Sequence, residues 1–201
     1  RHNECPVCDF DGETWDELLD HCREEGCRTV CRGCDGGHGS HWESECDAYW
    51  EHLDEHNVCT QCERHFSTPD NLTHHRLTHC AATYECLGCD RKFKTYGGMI
   101  IHLEYGTCDS GVDHLDLNAT AAECRMWSHF IDEDYREDML DSNDLQDIYS
   151  DKVYPYKCPT CDAAMPKLSS LFQHVESPAC GQTLNEGAIG RLRRFLYSRY
   201  G

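Results

Sequence analysis

The sequence has few apolar residues and few positive charges for its length. Of its 201 residues 39% are hydrophobic, and 18 Lys and Arg stand against 37 Asp and Glu, a formal net charge of −19. One large hydrophobic core is therefore not predicted. The sequence contains no run of 18 apolar residues and no recognisable secretory leader, so we expect neither a membrane span nor export.

Cysteine and histidine, in contrast, are abundant, with 17 Cys and 14 His. Units shorter than about 40 residues rarely fold without a metal or another staple, so metal can take the place of hydrophobic bulk here. Cysteines bind zinc as thiolates, which persist in a reducing compartment. We therefore expect an intracellular zinc protein of the nucleus or cytoplasm and not a disulfide framework.

The clearest motif lies between residues 59 and 79. Two cysteines separated by two residues suit the turn of a hairpin, and two histidines four positions apart share one face of a helix. Together they can close a tetrahedron around Zn²⁺. The four predicted ligands are Cys59, Cys62, His75 and His79, and Phe66 and Leu72 form a small apolar plug between hairpin and helix.

Three further units repeat this spacing with a cysteine as the last ligand. In two of them a glycine, Gly26 or Gly106, lies shortly before that cysteine. Glycine lets the chain leave a helix through the left-handed region of backbone conformation. In the third, Pro178 ends the helix. The predicted ligands are Cys5, Cys8, His21 and Cys27; Cys86, Cys89, His102 and Cys108; and Cys158, Cys161, His174 and Cys180.

The first unit departs from the pattern at its aromatic position. Gly12 stands where the plug residue is expected, so Phe10 or Trp15 must fill that space. Cys22 follows the ligand His21 directly, and we interpret it as a spare helix thiol.

A fifth unit, second along the chain, has a longer loop. Its predicted ligands are Cys31, Cys34, His52 and His56, with Tyr49 at the plug position. Between the two ligand pairs lies a glycine-rich insertion from Asp35 to Ser40. Three other residues compete as ligands in this unit, namely His38, His41 and Cys46.

The expected fold class is a small zinc-stabilised α+β protein with five ββα-type zinc fingers, two of them C2H2 and three C2HC. It binds about five Zn²⁺ per chain. The fingers span residues 1–28, 29–57, 58–80, 84–109 and 156–181; an acidic, partly helical insert spans 110–155, and a basic amphipathic helix spans 185–201.

Two segments of the chain are not fingers. In the insert, Thr120 and Glu123 form the pattern of a capping box, which predicts a helix over about 119–132 that packs on the fourth finger or on another helix. The following acidic run, 132–151, is either a solvated linker, short helices or an acidic-aromatic interaction segment. The C-terminal helix has an apolar stripe beside four arginines, and docking within the molecule is the favoured interpretation over a membrane or nucleic acid.

The predicted zinc sites are closed. Four protein ligands leave no position for water or substrate, which is typical of structural zinc. His41-Trp42-Glu43 matches half of a zinc deaminase signature, but the P-C-x-x-C half is missing. We therefore predict no catalytic residues, no small-molecule substrate and no enzyme.

All of 1–180 outside the insert resembles the C2H2/C2HC zinc-finger superfamily. The motif Gly97-Gly98-Met99-Ile100-Ile101-His102-Leu103-Glu104, the acidic insert, the ending Glu176-Ser177-Pro178-Ala179-Cys180 and the Arg194-Phe195-Leu196 tail are similar to multi-finger C2H2-type proteins of filamentous fungi. The resemblance implies the fold and zinc binding, while an assignment as a transcription factor would rest on analogy.

In DNA-reading members of the superfamily, four helix positions face base edges. By resemblance these are Thr68, Asp70, Asn71 and His74 in the third finger, Thr95, Gly97, Gly98 and Ile101 in the fourth, and Lys167, Ser169, Ser170 and Gln173 in the fifth. In the third finger Asn71 is suited to adenine, but no arginine is available for guanine. The fourth set offers almost no contacts, whereas the polar fifth set could make some. Arg91, Lys92 and Lys94 could contact phosphates.

Charge and finger spacing argue against tracking along a DNA groove. Residues 1–58 carry a net charge of −12 and residues 109–157 one of −9, which repel the phosphate backbone. The joins Arg28-Thr29-Val30 and Asn57-Val58 are too short for each finger to step three base pairs. We predict a regulatory or adaptor protein that binds a protein partner; the alternative is a DNA- or RNA-binding regulator that uses 59–108, the fifth finger and the basic tail.

Overall fold

Short helices and two-stranded antiparallel sheets make up the chain. The computed structural model describes residues 3–201, which separate into two compact units, one ending at Cys80 and the other running from Ala81 to Gly201. In the described part of the chain no sheet has more than two strands. No helix there combines the length and the apolar character that crossing a membrane requires.

The described part of the first unit contains three α-helices and one sheet. The elements are α1 (Trp15–Glu24), β1 (Thr29–Cys31), β2 (Ser40–Trp42), α2 (Asp47–Glu55) and α3 (Pro69–Arg76), with a short 3₁₀ turn at Cys34–Gly37. β1 pairs with β2, and Val30 lies opposite His41. The 3₁₀ turn and the loop to β2 form the glycine-rich insertion that the sequence predicted.

Side-chain caps fix where helices α1 and α3 begin. The hydroxyl of Thr14 accepts a hydrogen bond from Glu17 N at 3.2 Å, and that of Thr68 accepts one from Asn71 N at 3.2 Å. After α1 the chain turns at Gly26, whose φ of 68° is the left-handed conformation predicted before the last cysteine.

The apolar interior of the first unit is divided into two small clusters. One is formed by Cys5, Leu18, Leu19, Cys22 and Val30, and the other by Cys31, Cys34, Leu53 and Val58. Several of these residues are themselves candidate metal ligands. Clusters of this size do not stabilise 80 residues alone, so metal must supply much of the folding free energy.

The second unit contains two sheets and six helices among its described elements. They are β3 (Tyr84–Glu85), β4 (Lys92–Phe93), α4 (Tyr96–Glu104), α5 (His114–Glu123), α6 (Glu133–Leu140), α7 (Leu145–Ile148), β5 (Tyr156–Lys157), β6 (Ala164–Met165), α8 (Leu168–Glu176) and α9 (Gly187–Tyr200). A 3₁₀ turn at Trp127–His129 joins α5 to α6.

Within this unit the fourth finger recurs in the fifth at a constant offset of 72 residues. Each of the segments β3, β4 and α4 has its counterpart in β5, β6 and α8 at that distance. α4 and α8 pack against one another, with the ring of Tyr96 4.6 Å from that of Phe172. The two fingers therefore form a pseudo-symmetric pair.

The insert is folded and forms part of the core. Its first helix starts earlier than expected, because the capping box is made by Asp113 and Asp116 and not by Thr120 and Glu123. Thr120 is instead buried. The acidic run forms the short helices α6 and α7, capped by Asp132 and Asp144, which excludes the solvated linker.

The C-terminal helix docks within the unit, as the sequence predicted. α9 buries Ile189, Leu192 and Leu196 and contacts α5. At its end the hydroxyl of Tyr200 lies 2.6 Å from Thr120 Oγ and donates to the carbonyl of Asp116 at 3.0 Å. One continuous core thus joins the paired fingers, the insert and the tail.

The expected count of five ββα units is not confirmed, although the class of small zinc-binding α+β protein is. Paired strands precede the helix in three of the five predicted fingers, whereas the described residues of the first finger form a single bridge between Glu4 and Asp11. In the unit at 59–79 no strand forms. There Phe66 N donates to His56 O at 3.3 Å, so the backbone of this finger bonds to the end of the second finger.

Candidate metal centres

Within residues 3–201, five groups of four Cys and His side chains bring their ligand atoms within 4.8 Å of one another. Each group takes two cysteines from a turn before a helix and at least one histidine from that helix. The groups are Cys5, Cys8, His21 and Cys27; Cys31, Cys34, His52 and His65; Cys59, Cys62, His75 and His79; Cys86, Cys89, His102 and Cys108; and Cys158, Cys161, His174 and Cys180.

The separations of the ligand atoms fit tetrahedral zinc. Bond lengths of about 2.3 Å for Zn–S and about 2.0–2.1 Å for Zn–N imply ligand–ligand distances of about 3.3–3.8 Å. At the third site Cys59 Sγ lies 3.4 Å from His79 Nε2, within this range, and Cys62 Sγ lies 3.1 Å from His75 Nε2, slightly below it. At the fifth site Cys158 Sγ is 3.4 Å from Cys180 Sγ.

Aromatic plugs hold the ligand histidines in place. Phe10 stacks on His21 with ring centroids 4.0 Å apart, so Phe10 and not Trp15 fills the position left by Gly12. Phe66 and Phe93 also contact the ligand histidines His75 and His102, with tilted rings whose centroids are 4.6 and 5.1 Å apart.

At the fourth site the His102 ring is also fixed from its far side. The Thr107 hydroxyl lies 3.0 Å from His102 Nδ1. That contact leaves Nε2 to face Cys89 Sγ at 3.4 Å, and such an outer partner orients a metal-binding imidazole.

The second site differs from the prediction at one ligand. His65 Nε2 lies 3.3 Å from Cys31 Sγ and 3.9 Å from Cys34 Sγ, whereas His56 is outside the group. His56 follows the last residue of α2 as its cap and is exposed, with its ring 5.1 Å from that of His52.

The physical reason is a close approach between two cysteine turns of the first unit. A Cβ on Gly33 would lie 2.0 Å from Glu63 O and 2.8 Å from His65 Cδ2, so only glycine fits there. The side chain of Glu63 accepts from Arg32 N at 2.6 Å and pairs with Arg23. The 62–66 turn of the third finger is thereby fastened to the second site.

The sequence did not indicate His65 as a ligand because it lies in the third finger. A ligand contributed by a neighbouring finger has no regular spacing from the other ligands of the site. The three competing residues named for this site are not part of the group either. His38 stacks near Trp15, His41 lies on β2, and Cys46 is the residue before α2. The ring of His41 is tilted against Trp15 at 5.5 Å.

Each group has the ligand number of a structural zinc site, in which four protein side chains complete the tetrahedron. Burial raises the pKa of the Cys31 thiol to about 12 and that of Cys86 to about 11, and each must lose its proton to bind zinc. Cys22 is buried outside the groups, and burial raises its pKa to about 11, consistent with a spare core thiol.

Some of the base-facing positions of the fourth and fifth fingers lie at the contact between α4 and α8, while Lys167 and Gln173 remain exposed. Gly97 and Ser169 are buried, and a Cβ on Gly97 would lie 2.8 Å from Gln173 Cγ. Glu176 accepts hydrogen bonds from the backbone N–H groups of Tyr96 and Gly97 at 2.7 and 2.8 Å.

The same contact is repeated in the opposite direction. Glu104, at the end of α4, accepts from Ser169 N at 2.9 Å and from the Ser169 hydroxyl. Lys167, the residue before α8, makes no side-chain cap, so Glu104 provides it from the other finger. Each helix thus ends on a carboxylate that caps its partner.

The third finger keeps its base-facing side exposed. Thr68, Asp70, Asn71 and His74 are all exposed on α3. Two of them are nevertheless engaged locally, since the Thr68 hydroxyl caps the helix and Asn71 Nδ2 donates to Ser67 Oγ at 3.2 Å.

Comparison with known proteins gives one match. Residues 58–79 match the family model described as zinc finger, C2H2 type. No curated protein and no solved structure matches the chain. Together with the five ligand groups, the match confirms zinc binding at about five sites.

Proposed function

We propose that this zinc-binding protein is a non-enzymatic regulator or adaptor that works through protein–protein contacts, in the nucleus. Zinc fingers serve either protein or nucleic-acid binding, so the choice depends on which surfaces remain free. The paired helices α4 and α8 carry the proposal, because each covers base-facing positions of the other.

That pairing opposes groove binding on geometric grounds. A recognition helix must place its N-terminal side chains against base edges in the major groove. In α4 and α8 those residues include Gly97 and Ser169, which are buried under Glu176 and Glu104. Reading DNA would require the pair to separate, which would break the hydrogen bonds that Glu104 and Glu176 accept from the opposite helix.

Charge supports the same choice. The exposed surface of the first unit is mainly acidic, since residues 1–58 have 16 acidic and 4 basic side chains. Three of those four cations, Arg23, Arg28 and Arg32, are paired with Glu63, Glu43, Asp16 and Asp20. An acidic surface of this kind repels phosphates and suits a basic protein partner.

The absence of an open ligand position motivates the non-enzymatic part of the proposal. Each group already supplies four side-chain ligands, which is the closed form of a structural site. We therefore expect zinc to hold the interaction surfaces in shape and to take no part in a reaction.

Capture of partners by the full zinc-loaded chain tests this proposal. The immobilised chain is incubated with nuclear extract, with and without nuclease, and bound proteins are crosslinked and identified. We expect one or more protein partners that persist after nuclease and disappear after zinc chelation. Recovery of nucleic acid alone, with every protein lost after nuclease, would contradict the proposal.

The second candidate function is nucleic-acid binding through residues 59–108 and the basic tail. The exposed base-facing side of α3 favours this candidate. Lys92 is partly neutralised by Glu85 at 2.8 Å, while Arg91 is exposed. Charge reversal, Arg91→Glu, would then weaken binding of a labelled oligonucleotide and reduce its salt dependence. Lys152→Glu, in the insert, is the matched control and should not alter the salt dependence.

A further inference from the structure

A groove lies between α2 and α3 of the first unit. Its volume is about 410 Å³. The apolar side chains of Leu53, Val58 and Leu72 line it and are 7%, 1% and 8% exposed, so they form its floor. The ring of Trp50 stands at its edge and is 59% exposed. A single exposed apolar residue needs no explanation, but a large aromatic ring beside an apolar groove is typical of a binding surface.

The edge of the groove formed by α2 is strongly acidic. Asp47 and Asp54 lie three residues before and four residues after Trp50, so they share its face of the helix. Glu51 and Glu55 are also exposed on α2, which contains no Lys or Arg. In the described part of the chain no ion pair neutralises these carboxylates.

Two other exposed aromatic rings of the described chain, those of Tyr105 and Tyr154, already have a cation above them. Lys167 Nζ lies 5.0 Å from the centre of the Tyr105 ring, and Lys152 Nζ lies 5.5 Å from that of Tyr154. Over residues 3–201 no cation of the chain occupies the face of Trp50. Tryptophan is the ring that attracts a cation most strongly.

We propose that this groove binds a basic peptide segment of a protein partner. One apolar side chain of the segment enters the groove over Leu53 and Val58, and a Lys or Arg beside it lies on Trp50 between Asp47 and Asp54. Among residues 3–201, Arg76 is the one Lys or Arg that lines the groove, on the α3 side, so the basic residues of the segment lie toward α2. This inference rests on the proposed function and names the chemistry of the partner.

An array of synthetic peptides tests the groove on the full zinc-loaded chain. Each 12-residue peptide has one Leu, Ile, Met or Phe between Lys or Arg residues, and matched arrays replace the basic residues by Gln or the apolar residue by Gly. We expect the basic-apolar set to bind and both matched sets to fail.

Variants of the chain then locate the binding by fluorescence anisotropy. Trp50→Ala should weaken the best peptide about tenfold, and Asp54→Asn by about three- to fivefold. Val7→Ala and Asp9→Asn are the matched controls, since both residues are exposed, belong to the first finger and do not line the groove. Zinc content and far-UV circular dichroism should be unchanged in all four variants.

Three results would overturn the groove assignment. They are an array without any binder, a peptide affinity that Trp50→Ala leaves unchanged, and displacement of the peptide by an oligonucleotide whose own affinity falls in Trp50→Ala. If partner capture from nuclear extract survives both nuclease and Trp50→Ala, the adaptor function stands and this surface is wrong. If capture fails entirely, the proposed function itself is wrong.

Discussion

At the scale of single residues, most ligands could be predicted because they are local in sequence. The spacing between a Cys-x2-Cys turn and a histidine in the following helix predicts which residues bind the metal and which aromatic residue packs beside them. Cys59, Cys62 and Phe66 are an example. His65 could not be predicted in this way. Its role depends on how closely the turn at Gly33 approaches the next cysteine turn, and sequence spacing contains no record of that distance.

Replacement of His65 tests the identity of the second site. His65→Ala should lower the zinc content from about five to about four per chain, because only three ligands, Cys31, Cys34 and His52, would remain at the second site. His56→Ala should leave it unchanged. Metal analysis and the cobalt spectrum of the substituted chain measure both. Loss of a metal in His56→Ala alone would instead support the ligand that the sequence indicated.

Glu104 is the residue whose loss we expect to destabilise the second unit most specifically. It is 7% exposed and accepts from both the N–H and the hydroxyl of Ser169. Glu104→Ala leaves buried donors without a partner, so the free energy of unfolding should fall by about 2–4 kcal/mol. Chemical denaturation of the zinc-loaded chain provides the measurement.

Glu123→Ala is the matched control for that change. Glu123 is an exposed helix residue that faces Arg199 at 3.7 Å. A surface pair of this kind contributes at most about 1 kcal/mol, so its loss should hardly change the denaturation midpoint. Equal effects of the two substitutions would mean that the carboxylate of Glu104 does not stabilise α8.

At the scale of elements, local signals predicted the helices of the fingers better than those of the insert. Residues such as Thr14 and Thr68 cap their helices where the ligand spacing requires. In the insert several Asp and Thr residues compete as caps, and Asp113 is used because starting there buries Leu117 and Ala121 in the core. Tertiary packing thus selected among caps that are equivalent in sequence.

Gly97 offers a test of the contact between α4 and α8. Its Cβ position would be 2.8 Å from Gln173 Cγ and 3.0 Å from Gln173 N, so a larger side chain must push the helices apart. Gly97→Leu should lower the stability of the second unit by about 2 kcal/mol or more, with the zinc content unchanged. Differential scanning calorimetry measures the loss.

For this contact the control is Gly181→Leu, an exposed glycine with no atom within 4 Å of its Cβ position. It should leave the transition of the second unit in place. Should Gly97→Leu be as stable as this control, α4 and α8 would not be closely packed in solution, and the face of α4 could reach a nucleic acid.

At the scale of the whole molecule, the two units differ in what holds them together. The second has a continuous core that joins Leu103, Leu117, Phe130 and Leu192 with many others, whereas the first has two small clusters that include several metal ligands. Low apolar content predicted dependence on metal but not this division. The division arises because the insert and the tail complete the core of the paired fingers. The repeated ligand spacing gives no sign that these fingers share one core.

Chelation of zinc should therefore affect the two units unequally. Each structural site contributes an apparent 10–16 kcal/mol or so, which exceeds what the small clusters of the first unit can replace. Hydrogen exchange after chelation should show complete loss of protection in α1 and α2, while α5 and α9 keep part of theirs through the apolar core. Zinc added back restores both in a reversible experiment. Equal loss in α5 and α1 would mean that metal, and not the packed insert and tail, stabilises the second unit.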